Sequence, residues 1–197
     1  MNILDKSNTA KYSFIKEGIS SYELNKEFLF DPILKPLLID IQLSINEYIS
    51  KFENLEASVI SSSWFNVLSK GGIVGKHKHV DSWDNNEGSV VSGAYYPYVD
   101  KNSAPLIFSF PNKNPISIVP ESGALVIFPS WLDHYTKPNK SERRITVSFN
   151  TVRKSVVLEK FPDSIKLSEK TLKENAFSSW QARICMLYYM YDENSKT

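Results

Sequence analysis

The groups best placed to bind a metal lie at residues 77–81, His77-Lys-His79-Val-Asp81. On an extended strand, residues i, i+2 and i+4 point to one side. His77, His79 and Asp81 therefore share a face, and His79 with Asp81 forms a His-x-Asp pair. A third imidazole follows in Phe128-Pro-Ser-Trp-Leu-Asp-His134. Two imidazoles and a carboxylate on one side of a metal suit ferrous iron and leave positions open for exogenous ligands. His77 is the alternative third ligand. The chain holds three histidines and a single cysteine, Cys185. That excludes a Cys-rich zinc module and an internal disulfide framework. Downstream stand Arg144, Thr146 and Ser148, on one face of a strand by the same alternation. A guanidinium turned inward is costly unless it meets an anion. A dicarboxylate would supply that anion, held in bidentate fashion. Arg143, on the other face, is expected in solvent.

These groups need a scaffold, and the patterning supplies one. Asp31 is a good N-cap, Pro32 suits the first helical position, and Leu34, Leu37, Leu38, Ile41, Ile45 and Ile49 follow at spacings of three and four. This predicts an amphipathic helix over about 32–52, with Pro36 in its early part, packed on the outside of a sheet. From residue 57 the period changes. Segments 57–68, 73–81, 89–99, 105–110, 115–119, 123–128 and 143–152 read as short strands punctuated by Gly, Pro, Asn and Asp. The order is helix first, then many strands, then a mixed tail, and the strands indicate an all-β sandwich or barrel. Gly71, Gly72, Gly75, Gly88 and Gly93 cluster around the His-x-Asp segment, as turns and close backbone approach require. Asn66, ahead of that cluster, is a candidate to face a co-substrate. The polar loop 82–88 sits where a lid or a plain hairpin connection would lie. Trp83 and Trp131 are candidates for the mouth of a site or for packing. In the tail, Trp180 to Tyr191 reads as a helix or a late strand on the sheet.

Composition narrows the function classes. Lys and Arg number 23 against 22 Asp and Glu, a net charge of +1. Nucleic-acid binding, which draws on a basic excess, is not expected. No basic segment followed by an apolar stretch opens the chain, and no apolar run approaches the ~20 residues of a membrane-spanning helix. The expectation is a soluble, cytoplasmic protein of one domain, residues 1–197.

The ordered set His79-Val-Asp81, Ser92-Gly-Ala-Tyr-Tyr96, Gly123-Ala-Leu-Val-Ile-Phe-Pro-Ser130, His134, Arg144-Ile-Thr146 and Phe149-Asn150 resembles the Fe(II)- and 2-oxoglutarate-dependent oxygenase superfamily, in its prolyl-hydroxylase-like branch. It also looks like small oxygenases with a His-x-His element before Ser-Gly-x-Tyr-Tyr. The resemblance covers about residues 60–152. It implies a mainly β fold, a double-stranded β-helix (a jelly-roll or cupin-like barrel) with a core of about 57–152. A flanking N-terminal helix and a C-terminal cap over 153–197 complete it. It implies Fe(II) held by His79, Asp81 and His134, with 2-oxoglutarate and O2 as co-substrates. Arg144, with Tyr96 and Thr146, would bind the far carboxylate, although Tyr96 also fits an ordinary buried tyrosine. The implied activity is a dioxygenase, a hydroxylase of a C–H bond in a small molecule or peptide, releasing succinate and CO2. Asp81 argues against the halogenase variant, where a small residue replaces the carboxylate. Two other readings stay open: a cupin-like metalloenzyme without 2-oxoglutarate, such as a sugar isomerase, and a metal-free jelly-roll binding module.

Overall fold

Strand alternation divides this chain between two cores, one on each face of a large sheet. In the computed structural model the described residues are 15–53, 55–79 and 90–153, with the backbone of a strand at 184–186. Among them, β1 (Ile15–Ser20), β2 (Ser58–Val74), β3 (Val91–Tyr98), β6 (Leu125–Pro129), β8 (Arg144–Arg153) and β9 (Ile184–Met186) build a sheet in the order β1-β2-β8-β3-β6-β9. A smaller sheet, β5-β4-β7, consists of β4 (Leu106–Ser109), β5 (Ile116–Ile118) and β7 (Asp133–Thr136). The fold is mainly β, a jelly-roll barrel.

Odd and even residues of the central strands serve different layers. Leu125 and Ile127 of β6 and Val147 and Phe149 of β8 join Phe65 in a core beneath the helix α1 (Lys35–Ile49). Their neighbours Val126 and Phe128 turn the other way and pack with Ala94, Tyr96, Leu106 and Phe108 inside the barrel. Helix α1 seals the outer core with Ile41, Ile45, Tyr48 and Ile49. Each such side chain contributes about 1.5–3 kcal/mol on burial. Gln42 fixes the helix to β2: its amide donates to the Ser58 carbonyl at 2.9 Å and accepts from the Ile60 N–H at 3.1 Å.

The expected helix begins later than its cap signal. Asp31 accepts from the Ile33 N–H at 2.9 Å, but the turn it caps is a 3-10 turn, Pro32–Leu34. The α-helix runs from Lys35 to Ile49, with Pro36 in its first turn, where the missing N–H costs nothing. The described chain also starts with a strand, β1, and not with the helix. β1 and β9 both lie outside the expected 57–152 core, yet both are strands of the large sheet. β9 settles part of the tail reading: it pairs parallel to β6, with Cys185 opposite Val126. The rest of the tail lies outside the described residues.

Two expected strands merge. β2 runs through the Gly71-Gly72 pair to Val74, because those glycines make a bulge and not a break. Against β1 the register jumps from Gly18↔Leu68 to Lys16↔Ile73. Gly71 adopts φ +81°, which a side chain would resist. Residues 75–79 then leave regular strand, with a lone bridge pairing His77 and His134. β7, which carries His134, follows β6 too closely to be seen as a separate strand in the sequence.

Gly93 and Phe149 are directly opposed on β3 and β8. A Cβ on Gly93 would overlap the Phe149 ring, which is fully buried. Gly93→Ala should therefore destabilise the fold by about 1–3 kcal/mol, as overpacking does, seen as a lower denaturant midpoint.

Candidate metal centre and anion pocket

The segment after β2 and the start of β7 are laced together by backbone bonds. The His77 N–H donates to the His134 carbonyl at 3.0 Å, the His134 N–H returns the bond at 2.9 Å, and the His79 N–H reaches the Ser130 carbonyl at 2.9 Å. This lacing brings His77, His79 and His134 together at one cavity, each offering a ring nitrogen within 4.8 Å of the others. The shared face expected of His77 and His79 is realised, and their rings stack at 5.2 Å. Asp81, Trp83 and the loop 82–88 lie outside the described residues.

Ring hydrogen bonds set which nitrogens face inward. The Nδ1–H of His134 donates to the Leu132 carbonyl at 2.9 Å, and that of His77 to the Gly75 carbonyl at 2.8 Å. His79 Nδ1 meets Asn150 Oδ1 in a short hydrogen bond. Burial holds all three imidazoles below their ordinary pKa: His79 falls to about 4, with the Asn150 bond opposing and the His77 charge adding. His134 falls well below its ordinary value by burial, with His77 and His79 adding. His77 is lowered chiefly by burial. A neutral imidazole carries one proton, and here it sits on Nδ1. The Nε2 atoms of His79 and His134 then face each other at 3.2 Å. Two lone pairs at that distance repel unless a cation lies within reach of both. Imidazole nitrogens with their second nitrogen tied to oxygen acceptors are the donor set of a transition-metal site, so these residues fit a ferrous ion.

The other functional group in the cavity is cationic. The cavity, about 170 Å³, is lined by the histidines, Trp64, Asn66, Tyr96, Arg144, Thr146, Ser148 and Asn150, among others. Arg144 is 2% exposed. Its Nε–H donates to the Ala104 carbonyl at 3.0 Å, and among the described residues no carboxylate pairs with it. Burial lowers its pKa, opposed by Tyr96. The guanidinium lies 5.2 Å from the Tyr96 ring centroid. The Tyr96 hydroxyl is the one buried side-chain polar atom without a hydrogen bond among the described residues. Burial raises its pKa and the Arg144 charge opposes the rise. A buried cation beside an unpaired hydroxyl fits a carboxylate. The two ends of the cavity are tied to one chain segment: Arg144 hangs from Ala104, and His134 pairs with Phe108 on β4.

Other expected residues fall as follows. Arg143 is exposed and lies 5.1 Å from the Tyr98 ring centroid. Asn66 lines the cavity, with its amide committed to Ser20 at 2.7 Å and Ser148 at 3.2 Å. Trp131 packs partly buried against the inner core. Three contributors carried no assigned role. Trp64 walls the cavity beside His79. Asn150 is the next term of the series 144, 146, 148, so extending that alternation finds it. Asn139 had no sequence signal. It accepts from the Ala104 N–H at 3.0 Å and donates to the carbonyls of Leu68, Ser69 and Ser141.

Residues 108–150, which include His134, Arg144 and Asn150, match the family described as "Putative 2OG-Fe(II) oxygenase". The chain resembles the 2OG-Fe(II) oxygenases. No curated protein matches it significantly. Among solved structures, a Pseudomonas putida prolyl-4-hydroxylase is 16% identical, with a TM-score of 0.50, over 76% of this chain and 79% of that one. An oxidoreductase of the 2OG-Fe(II) oxygenase family from Burkholderia pseudomallei is 14% identical, with a TM-score of 0.44. That match covers 64% of this chain and only 55% of the other. HygX from Streptomyces hygroscopicus, with nickel and 2-oxoglutarate bound, is 10% identical, with a TM-score of 0.48, over 74% and 73%. The prolyl-4-hydroxylase likeness establishes the fold. The family match spans less than half of this chain. Among the described residues no helix is long and apolar enough to cross a membrane.

Removing the Asn139 amide leaves the buried Ala104 N–H without its acceptor. Asn139→Ala should cost about 1–3 kcal/mol, measured by chemical denaturation.

Proposed function

We propose that the protein is an Fe(II)- and 2-oxoglutarate-dependent dioxygenase that hydroxylates a C–H bond of a small molecule or peptide, as one domain. The observation that carries this reading is the 3.2 Å approach of two neutral imidazole nitrogens in the cavity that also buries Arg144. The single cation-binding end suits a metal and the single cationic end suits a carboxylate. A dicarboxylate co-substrate satisfies both at once. An isomerase would have no use for the buried guanidinium, and a metal-free module none for the converging imidazoles.

His79 and His134 hold the metal, and the third position comes from the 77–81 segment. His77 stands within reach of it, and Asp81 is the carboxylate that the resemblance implies. When bound, ferrous iron with 2-oxoglutarate supplies the O2-dependent oxidation of substrate, with succinate and CO2 as co-products. The chain's own residues set the geometry. Arg144 binds the distal carboxylate, and the Tyr96 hydroxyl donates a second hydrogen bond to it. Thr146, the next inward residue on β8, flanks the same carboxylate. The apolar wall of Phe128, Leu106 and Trp64 limits water around the oxidising centre.

Calorimetry of the Mn(II)-loaded protein should show 2-oxoglutarate binding. His79→Ala and His134→Ala should abolish metal binding. Arg144→Met should leave metal binding in place and weaken 2-oxoglutarate by at least about 30-fold, the ~2 kcal/mol of a lost charge-assisted pair. Metal loss in Asp81→Ala assigns the third position to the carboxylate, and loss in His77→Ala assigns it to the imidazole. Metal binding without any affinity for 2-oxoglutarate would overturn the reading.

A further inference from the structure

Asn150 stands at the back of His79 and not in the ligand cluster. Its Oδ1 meets His79 Nδ1 and also accepts from Ser92 Oγ at 2.8 Å. Ser92 Oγ is in turn 2.7 Å from Ser130 Oγ, and both serines are fully buried. Ser92 is the cross-strand partner of Asn150 in the β3–β8 register. The Ser130 carbonyl holds the His79 backbone N–H at 2.9 Å. His79 lies outside regular strand, so these bonds, coming from β8, β3 and the end of β6, fix both its main chain and its ring.

We propose that Asn150, braced by Ser92 and Ser130, is a positioning residue that holds His79 as the Nδ1–H tautomer with Nε2 turned to the metal. The inference rests on the metal reading above and deepens it. An amide oxygen receiving a donor from Ser92 has its carbonyl end fixed toward His79 and is polarised by the second bond. It accepts the Nδ1 proton, leaves the lone pair on Nε2, and raises the basicity of that nitrogen as a ligand. The same role for His134 and His77 is filled by the backbone carbonyls of Leu132 and Gly75. At the His79 ring a side chain from β8 takes that place. The reversed amide would present N–H to Nδ1, move the imidazole proton to Nε2 and block ligation there.

Zn(II)-loaded protein labelled with 15N-histidine tests this directly. The His79 signals, identified by their loss in His79→Gln, should show Nε2 ligated and Nδ1 protonated. Asn150→Leu should weaken Mn(II) binding by about 10- to 100-fold and open the Nδ1 proton to rapid solvent exchange. Asn150→Asp, which keeps the acceptor, should restore affinity to at least the wild-type value. If Asn150→Leu does not fold, Ser92→Ala should give a smaller loss in the same direction. An unchanged affinity in Asn150→Leu, or equal losses in the Leu and Asp variants, would overturn the inference alone, whereas a wild-type His79 protonated at Nε2 would overturn it together with the metal reading. Failure of the wild-type protein to take up Zn(II) or Mn(II) would overturn the metal reading and this inference with it.

Discussion

The burial of a guanidinium and of His134 in one cavity, with the half-buried His77 and His79 beside them, is the constraint around which the rest of this structure is arranged. An isolated buried charge costs several kcal/mol or more, and proteins meet that cost with a partner, a ligand or a shift in protonation. Arg144 has no carboxylate partner among the described residues, and the histidines have taken the third course and become neutral. The cavity thus holds a fixed cation at one end and concentrated lone pairs at the other. Such an interior selects an occupant that is anionic where it meets Arg144 and cationic where it meets the imidazoles. A dicarboxylate with a divalent metal is the simplest pair that does both.

Holding that interior open requires stability from elsewhere. The inner faces of β2 and β8 carry Asn66, Thr146, Ser148 and Asn150, residues that add little hydrophobic free energy. The outer faces of the same strands carry Phe65, Val147 and Phe149, which pack beneath α1. The sheet is therefore stabilised from the side away from the chemistry. Close contact between Gly93 and Phe149 on that outer side lets β3 and β8 pair without crowding. Within the barrel, Tyr96, Phe108 and Phe128 form the remaining apolar core, and Phe128 packs edge-on against Phe108 at 5.0 Å. The apolar floor thus meets the imidazole ring of His134 directly, 4.7 Å from Phe128.

Much of this was legible in the sequence, for reasons that differ from element to element. The alternation along 144–150 placed Arg144, Thr146 and Ser148 inside and Arg143 outside, because a period of two is a local rule that tertiary structure rarely overrides in a central strand. The helical stripe placed α1 against the sheet for the same reason. The start of α1 was misjudged because Asp31 and Pro32 signal a helical turn without specifying its pitch. The β2 bulge was read as a break because Gly71-Gly72 looks alike in a turn and in a bulge; only pairing with β1 distinguishes them. β1 was missed as a member of the sheet, and the tail stayed open between a helix and a late strand, because strand pairing across so much sequence leaves no local mark. The proximity of His77 to His134 is also nonlocal, and it follows from the backbone bridge between their segments.

Asparagine serves at both ends of the cavity, and charge explains why. Asn139 fixes Ala104 through its N–H, and the Ala104 carbonyl holds Arg144 Nε. An aspartate at position 139 would still accept that N–H, but it would lose the donors that bind Leu68, Ser69 and Ser141. It would also set a negative charge near a guanidinium that must keep its charge for an incoming anion. Asn150 faces the opposite situation, since only its acceptor is needed at His79. There a carboxylate would serve as well or better for ligand basicity, at the expense of one more negative charge beside the co-substrate's own carboxylate. A neutral amide supplies the hydrogen-bond geometry and leaves the charge pattern of the cavity to Arg144 and the metal.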